Sequence, residues 1–208
     1  MKQYPTIVKF NDEDTNSNLF EMEFWAFDKV DGSNIRVEWN SKKSFYKFGS
    51  RTQLLDPNNP ILSKAIPLIL KYEENLSKKF LELKYEQVMC YFEFFGANSF
   101  AGQHDPYDLN FDVVLLDIEV HKKGYVDPEN YIKHFSNLVP TPAMLFQGLL
   151  TETIIAEIKQ GTFPGMSFEG VVFKAPTRGH HNIMFKIKNQ AWIEKVCAKY
   201  GDMAEKFI

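Results

Sequence analysis

Lys29 is the residue that its sequence surroundings most favour as a nucleophile. The apolar residues 24–27 lead into Lys29, Val30, Asp31 and Gly32, a pattern typical of a strand that ends in a turn. A lysine held at a strand end can attack an electrophile once it loses its proton, and burial near other cations lowers the pKa that opposes this loss. The alternative is a β-hairpin that displays an ordinary surface lysine.

Two further lysines, Lys186 and Lys188, lie two positions apart in a strand-like segment. They face the same side of the strand, so their amines form one cationic surface that suits a phosphate. The alternative is the solvated face of an ordinary strand. Glu169 and Lys174 share another strand-like segment, and Glu93 lies among aromatic residues. A carboxylate in apolar surroundings needs either a ligand, such as a sugar hydroxyl, a base or a metal, or a partner within the fold.

The elements that must position these groups are mostly strands. Apolar alternation or continuity predicts strands over residues 19–27, 34–39, 44–48, 86–95, 112–120, 144–147, 168–174 and 182–188. Helical periodicity predicts helices over residues 60–84, 127–138, 151–160 and 190–207, the first of them kinked or split at Pro67. In residues 34–39, Arg36 and Glu38 alternate with apolar residues, as in a half-buried strand whose polar face is exposed and which pairs with the strand before it. Helices interspersed irregularly among mostly antiparallel strands indicate the α+β class.

The composition is that of an ordinary soluble protein. The chain has 208 residues, 44% of them hydrophobic and 15% aromatic, and a net charge of −3, so any nucleic-acid surface must be a local patch. Cys90 and Cys197 lack metal-ligand spacing and are expected to be buried free thiols in a reducing compartment. Because we find neither a signal peptide nor an apolar run of membrane-spanning length, we predict a cytoplasmic protein.

In this order, the segments resemble the motifs of the covalent nucleotidyltransferases, the superfamily of DNA ligases, RNA ligases and mRNA capping enzymes. The matching segments are KVDG at 29–32 (motif I), SR at 50–51 (Ia), FEFFG at 92–96 (III), VLLDI at 114–118 (IIIa), EGVV at 169–172 (IV) and KIK at 186–188 (V). The fuller forms KVDGSN, FEFFG and EGVVFK are most similar to ATP-dependent RNA ligases of the RNA ligase 2 type. The resemblance covers about residues 20–188.

This resemblance implies an antiparallel-sheet, ATP-grasp-like nucleotidyltransferase fold with flanking helices, in which residues 1–208 form a single adenylation domain. Lys29 would attack the α-phosphorus of ATP to form lysyl-AMP, while Lys186 and Lys188 hold the α-phosphate and help to lower the pKa of Lys29. Mg²⁺ would offset the triphosphate charge, with Glu169 as a nucleotide or metal ligand. The other implied nucleotide contacts are Arg51 and Glu93 to the ribose, Asn34 to the phosphates, and the backbone of Asp28, Lys29 and Val30 to the adenine edge.

The same resemblance implies that AMP passes to the 5′-phosphate of an RNA strand and that a 3′-hydroxyl then seals the break, as in RNA repair. Leu116 precedes Asp117 where the family places an aromatic residue, so the stack on the base is aliphatic or supplied elsewhere. No OB or helical domain is expected after motif V, so RNA binding is expected to be weak or to depend on a partner protein. Arg178 and His181 are candidates for contacts with the RNA backbone.

Three interpretations stay open at this stage. The first is an ATP-dependent RNA ligase. The second is a related nucleotidyltransferase with another acceptor, such as a DNA ligase or a capping-type enzyme. The third is a non-catalytic protein that binds a nucleotide or an RNA end.

Overall fold

In a computed structural model that describes residues 1–10, 17–177 and 181–208, the chain forms two compact units. Unit 1 consists of Met1–Pro5 and Asp31–Thr141, and unit 2 consists of Thr6–Val30 and Pro142–Ile208. Each unit contains a five-stranded sheet in which most neighbouring strands are antiparallel, and helices accompany both sheets. This arrangement confirms the α+β class.

Strands and helices are interspersed along the chain. The strands are β1 (Val8–Lys9), β2 (Glu23–Asp28), β3 (Ser33–Asn40), β4 (Ser44–Gly49), β5 (Gln87–Gly96), β6 (Phe111–Val120), β7 (Gly124–Tyr125), β8 (Met144–Leu149), β9 (Gly170–Pro176) and β10 (Asn182–Lys188). The helices are α1 (Ala65–Leu70), α2 (Glu73–Glu82), α3 (Pro128–Phe135), α4 (Glu152–Gln160) and α5 (Gln190–Tyr200). Short 3-10 helices cover Ser17–Glu21, Leu62–Lys64 and Gly201–Lys206.

The sheet of unit 1 has the strand order β4-β3-β5-β6-β7 and is antiparallel. Aromatic side chains join its apolar face to two of the helices. Trp39 of β3 lies with its ring centroid 5.0 Å from that of Phe80 in α2, and Phe80 lies 5.8 Å from Phe135 in α3. All three are almost fully buried, so this face is the core of unit 1.

The opposite face of β3 is polar but not exposed. The prediction that Arg36 and Glu38 face solvent is wrong, because Met1–Pro5 lies on this face and leaves them 2% and 9% exposed. Arg36 Nη1 donates to the carbonyls of Met1 (3.2 Å) and Lys2 (3.1 Å). The N-terminal ammonium lies 3.4 Å from the Glu38 carboxylate. These bonds satisfy charged groups whose burial would otherwise be costly.

The sheet of unit 2 has the order β1-β10-β9-β2-β8, with β1 parallel to β10 and the other pairs antiparallel. One face packs against α4 and forms an apolar core. This core includes Phe24, Ala26, Ile155, Ile158, Val171, Phe173, Phe185 and Ile187. Neighbouring strand residues point to opposite sides, so the other face carries the alternate positions. These positions are Trp25, Phe27, Val172, Lys174 and Lys186, matched across the strands by register.

Several predicted boundaries differ from the structure. The predicted first helix breaks at residues 71–72 and not at Pro67, because Pro67 lies in the first turn of α1, where its missing N–H is not needed. The last helix ends at Tyr200, since Gly201 adopts a φ of 53° and the chain continues as a 3-10 helix. The predicted strand over residues 19–27 begins only at Glu23, because a 3-10 helix precedes it.

Only one of the two cysteines matches its predicted environment. Cys90 is buried, and burial raises the pKa of its thiol. Cys197 is exposed on α5, so its predicted burial is wrong. Among residues 1–10, 17–177 and 181–208, no helix is both long and apolar enough to cross a membrane.

Candidate active site

Lys29 follows β2 directly and is held through both its backbone and its side chain. Its N–H donates to the carbonyl of Gly170 (2.9 Å), and its Nζ lies 2.9 Å from Oε1 of Glu169. The side chains of Lys29 and Glu169 are 21% and 5% exposed. The hairpin alternative and the predicted pairing of residues 34–39 with the preceding strand are both wrong. In the structure β2 pairs with β8 and β9 in unit 2, whereas β3 pairs with β4 and β5 in unit 1.

Glu169 also binds a second ammonium group. Lys188 Nζ lies 2.9 Å from the same oxygen, Oε1, and donates to the carbonyl of Phe207 (2.8 Å). The Lys188 ammonium lies 3.7 Å from the ring centroid of Trp192 in α5, a cation–π contact. Lys188 is 8% exposed and Trp192 1%. The carboxylate, the carbonyl and the ring therefore hold the Lys188 ammonium in one place.

Lys186 is more accessible than Lys188 and lies in an electropositive environment. Its pKa is lowered to about 8, first by burial and then by the ammonium groups of Lys188 and Lys29. Lys9 of β1 is its direct neighbour across the parallel β1–β10 pair and lowers the pKa further. Like charges directly opposite one another destabilise a sheet, and in the protein the exposed Glu205 carboxylate lies 4.0 Å from Lys9 Nζ. The face that carries Lys186 is therefore suited to phosphate.

The titration of Lys186 should make ATP binding depend on pH. An anion binds the ammonium form, which is lost as the pH rises through about 8. We therefore expect the affinity for ATP to fall between about pH 7 and about pH 9. The variant Lys186→Arg stays charged over this range, so its affinity should fall much less. Titration calorimetry of both proteins at the two pH values measures the effect, and equal losses would assign the titration to another group.

Asp28, the last residue of β2, anchors a neighbouring loop. Its Oδ1 accepts a hydrogen bond from the Ser167 N–H (2.7 Å), and burial raises the pKa of its carboxyl against the opposing effect of that bond. The Asp28 N–H donates to the carbonyl of Ala143 (2.8 Å). The N–H groups of Asp28 and Lys29 thus donate hydrogen bonds to other residues of unit 2. The predicted contact of the backbone of residues 28–30 with adenine stays a prediction.

In unit 1, Asn34 and Glu93 are direct neighbours across β3 and β5. Asn34 Nδ2 donates to the carbonyl of Phe92 (3.2 Å). Its Oδ1 is buried and has no hydrogen-bond partner among the residues described. A buried acceptor without a donor is uncommon in proteins, so this oxygen is suited to a ligand or a water molecule. Glu93 is half-buried at the same end of the sheet.

Arg51 is exposed in the loop after β4, and the buried Arg36 binds the backbone of that loop. Arg36 donates to the carbonyls on either side of Arg51, from Nε to Ser50 (2.6 Å) and from Nη2 to Gln53 (3.4 Å).

Leu116 is the extra residue of a β-bulge, since Tyr91 pairs with Asp117 and the next residue of β5 pairs with Leu115. Bulges commonly redirect side chains beside functional sites.

Two glycines of the motif segments are required by close packing. A Cβ at Gly32 would lie 2.2 Å from the carbonyl oxygen of Phe94, and a Cβ at Gly170 would lie 2.2 Å from that of Ile187. Gly170 also has a φ of 147°, a conformation that residues with side chains rarely adopt. These positions in KVDG and EGVV therefore depend on the absence of a side chain.

The structure sorts the predicted site residues by unit. In unit 2, Lys29 and Lys188 each contact Glu169, and the charges of all three affect the pKa of Lys186. In unit 1, strand pairing brings Asn34 to Glu93, with Leu116 and Arg51 on neighbouring segments. Arg178 lies outside the described residues, and His181 is exposed. The nucleotide and RNA contacts of all these residues stay predictions.

Sequence reasoning missed several groups that shape the site. Trp192 and the Phe207 carbonyl hold Lys188, and nothing in the local sequence indicates either contact. Lys174 is 5% exposed, with its Nζ 5.0 Å from the ring centroid of Phe27. The sequence places Lys174 on one strand with Glu169, but only the register of β9 and β10 puts it on the same sheet face as Lys186.

The residues described contain no group of three or more histidine, cysteine, aspartate or glutamate side chains placed to hold a metal ion. In unit 2, Glu169 is the carboxylate that contacts the lysines, and Asp28 is close enough to interact with it electrostatically. Mg²⁺ is commonly held by one or two carboxylates together with substrate phosphates and water, without a cage of protein ligands. These donors fit a divalent cation that arrives with a nucleotide.

The chain is similar to known proteins in sequence and in fold. A family model described as RNA ligase matches residues 22–188, and no curated protein matches the sequence. An apo form of Naegleria gruberi RNA ligase is 19% identical with a TM-score of 0.62, over 93% of this chain and 59% of that chain. A provisionally described ATP-dependent DNA ligase from Aquifex aeolicus is 19% identical with a TM-score of 0.68, over 99% of this chain and 57% of that chain.

A third similar structure is Naegleria gruberi RNA ligase with AMP and manganese, 18% identical with a TM-score of 0.62, over 93% of this chain and 59% of that chain. The present chain thus spans less than two thirds of the length of these proteins. At these identities the solved structures show a shared fold.

Proposed function

This chain belongs to the RNA ligase family, and we propose that it uses ATP to form a lysyl-AMP intermediate at Lys29 and then joins RNA ends. We further propose that residues 1–208 act as one nucleotidyltransferase domain. The observation that carries the proposal is the shared contact of Lys29 and Lys188 with one oxygen of Glu169, 2.9 Å from each ammonium. Such a set of fixed charges suits phosphoryl transfer, in which positioning and charge neutralisation dominate.

In the first step, Lys29 Nζ attacks the α-phosphorus of ATP. The new N–P bond forms as the bond from that phosphorus to the bridging oxygen breaks, and pyrophosphate leaves with the electron pair. Lys29 must first lose a proton, and Glu169 holds its amine in place from 2.9 Å. Lys29 is 21% exposed, which leaves its amine accessible to a nucleotide.

Lys186 and Lys188 are proposed to stabilise the α-phosphate in different ways. Lys186 is the more accessible and would contact the phosphate oxygens directly. Lys188 is buried between Glu169, the Phe207 carbonyl and Trp192, so it would act from a fixed position as part of the positive potential. A preorganised charge is most effective when it does not have to move during the reaction.

The residues of unit 1 are proposed for the nucleoside and phosphates. Glu93 and Arg51 would contact the ribose hydroxyls, and Leu116 would lie against the base. The unpartnered Oδ1 of Asn34 supports a ligand contact at that residue, although a carbonyl oxygen accepts hydrogen bonds and so suits a hydroxyl or a water bound to phosphate better than phosphate itself.

A divalent cation, when bound, would neutralise charge on the triphosphate. Glu169, supported by the nearby Asp28, is the proposed protein ligand. Naegleria gruberi RNA ligase has been solved with ATP and manganese, which supports use of a nucleotide and a divalent metal by this chain as well. Mg²⁺ is the ion that we propose.

In the later steps, the phosphoramidate bond to Lys29 breaks as the 5′-phosphate of an RNA strand takes the AMP. A 3′-hydroxyl then attacks the activated phosphate, and AMP leaves. We propose that a partner protein assists RNA binding.

Intact mass after incubation with ATP and Mg²⁺ tests the first step. We expect a mass increase of one AMP, with ATP favoured over GTP when the two compete. Addition of 5′-phosphorylated RNA or DNA should then show transfer to RNA in preference. Transfer to DNA alone would favour the DNA ligase alternative, and ATP binding without a covalent adduct would favour a non-catalytic nucleotide-binding protein.

A further inference from the structure

The loop that leads into Glu169 displays one aromatic side chain outward. Phe163 of this loop is buried and Met166 is packed against the core of unit 2. Phe168, by contrast, is 45% exposed. A single exposed apolar side chain is ordinary on a protein surface. What sets Phe168 apart is that it directly precedes Glu169 in the sequence.

The position of Phe168 is fixed from both sides. On the preceding residue, the Ser167 N–H donates to Asp28 Oδ1 (2.7 Å). The Phe168 carbonyl accepts from Asn189 Nδ2 (3.2 Å), and the Asn189 N–H donates to the carbonyl of Glu169 (3.0 Å). Asn189 is 5% exposed, so its amide is itself held in place. The Phe168 backbone thus directly precedes the carboxylate that binds Lys29, and it cannot move far without breaking these bonds.

A cation accompanies the exposed ring. Lys195 of α5 lies with its Nζ 5.4 Å from the centroid of the Phe168 ring. An aromatic face next to a positive charge is the combination by which proteins bind single-stranded nucleic acid, where a base stacks on the ring and the cation neutralises a phosphate. An apolar protein partner fits less well, because it would have to desolvate the Lys195 ammonium without compensation.

We propose that Phe168 and Lys195 form a binding subsite for one unpaired nucleotide of the RNA strand, with its base stacked on Phe168 and its phosphate paired with Lys195. This proposal rests on the proposed function, since it assigns RNA to a position beside Glu169. It adds a contact that acts after lysyl-AMP has formed. Loss of Phe168 should therefore affect RNA binding and joining while leaving the reaction with ATP unchanged.

Three substitutions at Phe168 separate stacking from simple packing. Phe168→Ala and Phe168→Leu should each weaken binding of a 5′-phosphorylated single-stranded oligoribonucleotide by about tenfold or more, the usual effect of losing one stacked base. Phe168→Trp should bind at least as well as wild type, and its exposed indole should be quenched by the RNA. Fluorescence anisotropy of labelled RNA measures the affinities, and formation of the AMP adduct should stay within about twofold of wild type in all three variants.

Matched controls come from unit 1. Tyr107 is 87% exposed, so Tyr107→Ala removes an exposed aromatic side chain elsewhere and should leave RNA affinity unchanged. Lys43 lies 5.2 Å from the ring centroid of Tyr46, so Lys43→Gln matches Lys195→Gln. Of the two lysine variants, only Lys195→Gln should reduce the salt dependence of RNA binding. The slope of the logarithm of the affinity against the logarithm of the salt concentration should fall by about 0.7, the value for one lost phosphate contact with a single strand.

The outcomes distinguish this proposal from the proposed function. Unchanged RNA affinity in Phe168→Ala, or full affinity in Phe168→Leu, would overturn the stacking subsite even if the protein forms the AMP adduct. Equal loss of adduct formation and RNA binding would mean that Phe168 positions Glu169 and does not bind RNA. Absence of an adduct in the wild-type protein would reject the proposed function, while the anisotropy series would still decide whether RNA binds at Phe168.

Discussion

Replacing Lys29 with methionine should abolish transfer of AMP to the protein, with a loss of at least about 1,000-fold, as expected for removal of a catalytic nucleophile. Methionine keeps much of the aliphatic stem, and Glu169 keeps Lys188 as its partner at 2.9 Å. The variant should therefore fold normally. Incubation with α-labelled ATP and Mg²⁺, followed by intact mass and peptide mapping, locates the adduct.

Two comparisons make the Lys29 result specific. Lys43→Met removes an exposed lysine of unit 1 and should leave adduct formation at the wild-type rate. Lys186→Ala should reduce the rate without abolishing the adduct, because Lys186 is proposed to stabilise the phosphate and not to attack it. An adduct that persists at full yield in Lys29→Met would show that another residue is the nucleophile.

Replacing Glu169 with glutamine should have the second largest effect. The amide keeps the shape of the side chain but removes the negative charge shared by Lys29 and Lys188. We expect AMP transfer to fall by about 100-fold or more, similar to the loss of one preorganised group in other active sites. Because Lys188 is 8% exposed, its uncompensated charge should also cost about 3 kcal/mol of unfolding free energy. Chemical denaturation and single-turnover adduct formation measure the two effects.

A double variant separates the two roles of Glu169. Combining Glu169→Gln with Lys188→Met removes both partners of the buried pair and should restore most of the lost stability, while AMP transfer stays low. Glu194→Gln, an exposed acid of α5, should change neither property. Because the double variant also lacks Lys188, recovery of AMP transfer along with stability would mean that Glu169 and Lys188 both have only structural roles.

Local sequence was sufficient for most of the elements and for the ends of some helices. Apolar periodicity and short-range hydrogen bonds act within a few residues, so the sequence contains them directly. Asp127 accepts from the Asn130 N–H (2.9 Å) at the start of α3, and Thr151 accepts from the Ile154 N–H (3.2 Å) at the start of α4. Gly161 ends α4 with a φ of 74°. The motif residues of the candidate site were identifiable because their segments resemble, in order, the motifs of a known superfamily.

The arrangement of those residues depends on contacts between distant parts of the chain. The alternation of β3 indicates which residues share a face, but only the tertiary structure shows that Met1–Pro5 covers Arg36 and Glu38. The spacing of Lys186 and Lys188 predicts one cationic face, yet their different burial follows from Trp192 and the carbonyl of Phe207.

The sequence by itself therefore determined the strands and helices, the α+β class and the candidate chemistry. The tertiary structure decided which charges meet. Glu169 joins Lys29 to Lys188 because β9 pairs with both β2 and β10. Strand pairing and burial are non-local, since they depend on which distant segments become neighbours in the folded chain, and no local pattern in the sequence specifies those neighbours.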